Sequence, residues 1–208
     1  MLNLNNVPAS QPMQQNTLIP ANEIVRAIVM VKPGDFQLDE YGPGQWFKAS
    51  QSTKAKWMEL EFTIIGGQFD RRKFWDRVFV DGDKLGASNI PEAKEIGLRT
   101  LRSLIDSANG LSSDDMSPEA QQKRSIPGVG ALNGVEICAK VGVKKGTNGY
   151  SDQNKLVAAL TPKDSGYAPR GGVQNYGTPA AGNYQQSAPA PQAQQQPVSS
   201  GAVPTWAQ

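Results

Sequence analysis

A mainly β fold with a single helix is predicted for the central part of this chain, and three observations predict it. Apolar residues there alternate with polar ones at period 2 in five separate runs. One long stretch carries its apolar residues at helical spacing instead. Charge is the third observation: of 208 residues, 21 are Lys or Arg and 19 are Asp or Glu, and nearly all of them fall between residues 23 and 162. Residues 1–22 hold no charged side chain, and beyond residue 162 only Lys163, Asp164 and Arg170 are charged. The chain thus divides into a flexible N-terminal arm (1–22), one domain (23–162) long enough for a real core, and a tail (163–208). Gln, Ala, Pro, Gly and Ser fill most of that tail. Its apolar surface is too small to offset its ordering entropy, which predicts disorder.

Taken in order, residues 23–32 read as the first strand, closed by Pro33 and Gly34. Residues 57–65 alternate cleanly: Met58, Leu60, Phe62 and Ile64 face one way, and Trp57, Glu59, Glu61 and Thr63 the other. Gly66 and Gly67 begin a turn, and residues 72–80 return as the third strand. Ser88, Asn89 and Pro91 then signal a helix start. Gly97, Leu101, Leu104, Ile105 and Ala108 form its apolar stripe, and Gly110 is a natural stop. A polar loop follows, with one turn of helix at Ser117, Pro118 and Glu119. Residues 134–144 alternate again, a Gly-rich loop spans 144–152, and residues 154–161 form the last strand. Five strands with one helix between strands 3 and 4 is the order of an OB-fold, a small Greek-key barrel. The expected architecture is therefore a five-stranded OB-fold-like barrel plus a disordered C-terminal tail. In such a barrel the connections 33–56 and 145–153 flank the ligand groove.

Composition excludes several chemistries. The chain has no histidine, which removes Ser-His-Asp and Cys-His catalysis and His-ligated metals. Its one cysteine, Cys138, cannot build a disulfide framework or a Cys-based zinc cage. Cys138 alternates outward on its strand and, without a His partner, reads as inert. Asp81 with Asp83, and Asp114 with Asp115, could hold Mg²⁺, but acids beside Gly in loops are more often turn formers. The glycine-rich run 127–134 lacks the Walker Lys-Ser/Thr and does not match GxGxxG. No enzyme and no cofactor are expected. No apolar run reaches the roughly 20 residues that cross a bilayer, and the first residues lack a charged n-region followed by an apolar h-region, so no secretory leader is expected. The expected protein is soluble and cytoplasmic, with no membrane partner. Net charge is only +2, so any affinity for polyanions must come from a local patch.

Such a patch is present in the third strand. Across residues 71–79, Arg71, Arg72, Lys73 and Arg77 are interleaved with Phe74, Trp75 and Phe79, and period 2 puts Lys73, Trp75, Arg77 and Phe79 on one face. Single-stranded nucleic acid needs this combination, cations for phosphates and flat rings for bases. Any one of these rings could instead be a core or cross-strand packing residue; it is the composite face that points to binding. The first long connection repeats the theme with Phe36, Tyr41, Trp46, Phe47 and Lys48, followed by Lys54, Lys56 and Trp57. Those rings either bind a ligand or fold back over the open end of the barrel. Lys144 and Lys145, with Tyr150, add a weaker signal in the other loop.

Residues 58–67, the basic-aromatic run 71–77 and the helix from Ala93 to Leu104 together resemble a small family of bacteriophage and prophage proteins of replication and recombination modules. The resemblance covers roughly residues 24–161 and implies an OB-fold protein that binds single-stranded DNA. It also implies a bacterial host cell and a phage recombinase, helicase or nuclease as partner. A barrel followed by a Gly/Pro/Gln-rich tail is similar, too, to bacterial single-stranded DNA-binding proteins, whose tails end in an acidic, hydrophobic tip. This tail ends without an acid in residues 203–208, although Trp206 could serve as a docking anchor. The expectation is sequence-independent single-stranded DNA binding, compatible with a homo-oligomer. A protein-interaction adaptor with a linker tail is the alternative, and a metal-dependent nuclease a distant third.

Overall fold

The computed structural model describes residues 18–147 and 149–169. Their elements are β1 (Ile24–Val31), β2 (Phe47–Ala49), β3 (Lys56–Ile64), β4 (Lys73–Asp81), α1 (Glu92–Asn109), α2 (Pro118–Arg124), β5 (Val135–Lys144) and β6 (Gln153–Leu160). The protein is mainly β, with one antiparallel sheet and two helices between β4 and β5. Among the described residues no helix is long and apolar enough to cross a membrane.

β3 organises the sheet. One of its edges pairs along its length with β4, from Lys56↔Asp81 to Thr63↔Lys73. The other is shared in succession by β2, which reaches Lys56 to Met58, and β1, which reaches Leu60 to Ile64. β1 carries β5 on its far side, and β5 carries β6. Alternation puts Val25, Ala27, Val29 and Val31 of β1 inside, against Met58, Leu60, Phe62 and Ile64 of β3. Phe74, Val78 and Val80 of β4 and Val135, Ile137, Ala139 and Val141 of β5 complete the wall. Phe62 and Phe74, directly opposite in the register, stack with centroids 4.7 Å apart. Each large apolar side chain buried here contributes about 1.5–3 kcal/mol, and this sum holds the strands and α1 together.

α1 closes one end. Its buried stripe is Gly97, Leu101, Leu104, Ile105 and Ala108, the spacing expected of an amphipathic helix. Gly110 stops it in the left-handed region, at φ 61°. Gly97 is required by contact: a Cβ there would lie 2.0 Å from the Phe79 carbonyl oxygen, so the helix rests directly on the β4 backbone. α2, capped by the Ser117 hydroxyl, is joined to α1 through Arg124, whose Nε sits 2.6 Å from the buried Asp106 carboxylate.

Four expectations are corrected. The sheet has six strands, because the connection 33–56 contains β2, paired to β3 from Phe47↔Met58 to Ala49↔Lys56. The described residues hold two α-helices, not one, since the Ser117 turn propagates to Arg124. The expected closed barrel is not formed: the sheet runs β2-β3-β1-β5-β6 with β4 on β3, and among the described residues no β4–β6 pairing joins its ends. Asp76, an inward-parity residue of β4, instead accepts the Leu156 amide of β6 at 3.0 Å, beside a cleft of about 120 Å³ lined also by Thr100 and Ser103 of α1. An alternating strand reports which face is buried but not whether its edge finds a partner. Cys138 is buried, although it shares a β1–β5 pair with outward-facing Arg26; the Ser107 hydroxyl accepts its amide and Gly166 lies over its thiol.

Ordered structure also exceeds the 23–162 domain at both ends. Ile19 is fully buried, and its backbone exchanges two hydrogen bonds with the Asn154 side chain. After β6, Asp164 accepts from the Thr161 amide and hydroxyl, and Lys163 pairs with Asp114. Gly166 presses on Ile24, where a Cβ would lie 2.3 Å from the Ile24 side chain. Residues 18–22 of the arm and 163–169 of the tail thus belong to the folded unit. The rest of both segments, including Trp206, lies outside the described residues.

Candidate nucleic-acid interface

The outward face of β2, β3 and β4 collects much of the chemistry that the sequence singles out. Strand period sets Lys73, Trp75, Arg77 and Phe79 along β4, each opposite a β3 residue: Thr63, Glu61, Glu59 and Trp57 in turn. β2 adds Lys48 opposite Trp57. Trp75 is 54% exposed and Phe79 41%, high values for rings on a strand, while Phe74, their inward neighbour, is buried in the core. Trp57 is half-buried: Phe79 leans on it at 5.9 Å between centroids, and the Arg77 guanidinium stands 5.3 Å above its ring.

The face also holds its own acids. Glu59 Oε2 is 2.9 Å from Lys48 Nζ, and its Oε1 is 3.3 Å from Arg77 Nε. Glu61 Oε1 is 2.6 Å from Lys73 Nζ, while its Oε2 faces Lys32 Nζ at 3.6 Å and accepts the Trp75 indole N–H at 3.1 Å. The lysine hydrogen bonds hold both carboxyls below the usual glutamate range, Lys48 acting on Glu59 and Lys73 on Glu61. Lys56, at the start of β3, is paired with Asp81 at 2.9 Å and adds no net charge. Lys32, Lys48, Lys73 and Arg77 against Glu59 and Glu61 leave this face positive, but by less than its cations alone suggest.

The remaining predicted residues lie around this face. Arg71 stands at the β3–β4 turn with φ 62°, its side chain almost wholly exposed, and Arg72 lies over the Phe69 ring at 5.5 Å. Lys54 is exposed in the β2–β3 loop, where its amide approaches the Asp83 carboxylate. Lys144 ends β5 and Lys145 follows it, paired with Asp152; the Arg77 and Leu156 amides, and then Lys155 and Lys144, favour the charge of Asp76. Burial outweighs those contributions and raises the Asp76 carboxyl above its ordinary value. Trp46 departs from the pattern. Its indole donates to the Pro43 carbonyl and its ring packs by Gly44 and Gly130, where an added Cβ would lie 2.2 and 3.2 Å away. Phe36, Tyr41 and Phe47 likewise turn inward as a cluster, with Tyr41 and Phe47 centroids 5.1 Å apart. The aromatic connection therefore folds back as packing, and burial pushes the Tyr41 hydroxyl up to about 12.

Residue-type reasoning missed the position of Glu59 and Glu61 as the mid-line of the site. Their alternation with Trp57 was the available signal. Among the described residues, no group of three or more His, Cys, Asp or Glu comes together to hold a metal. Comparison with known protein families and with curated proteins finds no match to this chain.

Proposed function

We propose that this protein is a non-catalytic binder of single-stranded DNA, independent of sequence, acting in phage-type replication or recombination. The observation that carries the reading is the exposed β4 row of Lys73, Trp75, Arg77 and Phe79, in which cations and rings alternate at strand spacing. Stacking on an aromatic ring is worth roughly 1–3 kcal/mol per base and tolerates any base, since each has a π-face. Cations between the rings would meet phosphates. The finer reading of the fold, an OB-type barrel bridged by Asp76 where β4 and β6 do not pair, belongs to the same proposal. It is supported by β1 pairing with both β3 and β5, and by the β3–β4 face being the one such barrels use. A fluorescence-anisotropy titration tests the function: oligo-dT should bind at micromolar Kd or tighter, and duplex of the same length much more weakly. Equal affinity for the two would replace stacking with a general basic patch.

One observation favours a second reading, a protein-interaction adaptor. Leu85, Ile96 and Leu98, in and just before α1, are 58%, 54% and 43% exposed, more apolar surface than a short segment needs. Absence of any oligo-dT binding, with retained folding, would favour it.

A further inference from the structure

Two carboxylates run down the middle of the proposed DNA face, and each lies between cations from opposite sides. Glu59 is flanked by Lys48 and Arg77, and Glu61 by Lys32 and Lys73. The acids are recessed, with side chains 26% and 12% exposed, while the four cations are 34% to 58% exposed and stand over them. Fold stability gives little reason for this double row, because partly exposed surface ion pairs are screened by water and salt and contribute little. Direct reading of base amino groups by Glu61 is disfavoured as well, since both of its oxygens already accept from Lys73 and Trp75.

We infer that Glu59 and Glu61 are built-in competitors of the DNA phosphates for these four cations, and that they hold the affinity and the salt response of the face down. The inference rests on the single-strand-binding reading above. Each phosphate that engages Lys73 or Arg77 draws the cation from a carboxylate and then faces that carboxylate at short range, so part of the electrostatic gain is cancelled. The stacking contribution is untouched. Binding is then carried more by rings than by charge, which suits a coat that must be displaced from the strand.

Glu61→Gln isolates the effect, because a Gln amide oxygen can still accept the Trp75 indole N–H while the negative charge is lost. Glu59→Gln is the second variant, in the other row, and Glu119→Gln on α2 controls for net charge alone. With fluorescein-labelled oligo-dT as probe, Glu61→Gln and Glu59→Gln should each tighten binding about 3- to 10-fold at low salt. Each should steepen the log–log salt slope by about 0.7. Glu119→Gln should change neither, and melting curves establish that each variant is folded. Tighter binding by the Gln variants, even where the native protein scarcely binds, supports the inference. Binding by the native protein with unchanged or weaker binding by both Gln variants overturns it and leaves the single-strand reading standing. No binding by any of the four proteins overturns both.

Discussion

Trp75 separates packing from recognition. Its ring is more than half exposed and its indole N–H is held by Glu61, so Trp75→Ala should shift the melting temperature little. It should cost about 1–3 kcal/mol in oligo-dT affinity. Trp57, held under Phe79 and Arg77, should lose stability and affinity together, and paired melting and anisotropy measurements on the two variants decide the matter. Asp76 offers a pH test. Burial raises its folded-state carboxyl pKa above the unfolded value, so ionisation costs the folded state stability that is fully present at low pH. Asp76→Asn removes that cost but keeps only one acceptor, so with the Leu156 amide held the bond from the Arg77 amide to the second oxygen is given up. Melting of the variant relative to the native protein should therefore improve from about pH 3, where the aspartate is protonated in both states, to neutral pH; a difference that does not change with pH would refute the buried-charge cost.

At the scale of elements, the seat of α1 on β4 fixes the height of the proposed site strand. Gly→Ala inside a helix ordinarily gains about 1 kcal/mol from propensity. At Gly97 the added Cβ would meet the Phe79 carbonyl at 2.0 Å, and backbone cannot yield as a flexible side chain does. Overpacking of this kind costs about 1–3 kcal/mol, so the contact term wins and Gly97→Ala should be net destabilising in urea denaturation. It should also weaken oligo-dT binding, because Phe79 and Arg77 lie on the strand that would be displaced. A gain in stability would mean that α1 has room to slide.

For the whole molecule, the two boundaries predict how truncations behave. Ending the chain after residue 162 removes the Lys163–Asp114 pair, the Asp164 cap on Thr161 and the Gly166 contact with Ile24. It should lower stability by about 1–3 kcal/mol. Ending it after residue 169 keeps all of these, and thermal melting should then match the full chain. The composition of residues 170–208, almost without charge, predicts that this second truncation changes oligo-dT affinity by less than about 1 kcal/mol. A large loss or gain would give the tail a direct part in binding.

Local pattern by itself determined much of this protein. Period 2 put Met58, Leu60, Phe62 and Ile64 on one face of residues 57–65, and Lys73, Trp75, Arg77 and Phe79 on one face of the next strand, because a strand's side chains have only two directions to take; the structure shows the first set buried and leaves Trp75 and Phe79 exposed. The α1 stripe and its Gly110 stop were legible for the same reason, at period 3.6. Tertiary structure alone decided what depends on elements distant in sequence. It buried Tyr41 and Phe47 and laid the half-buried Trp46 against Gly44 and Gly130, since a loop has no period to announce its buried side. It covered Cys138 from the far face with α1 and Gly166, and it left β4 and β6 joined through Asp76 rather than a ladder. It also set Glu59 and Glu61 between cations brought in by neighbouring strands. Charge on a strand is written in the sequence, but its compensation is written in the register, and register is set by packing across the whole sheet.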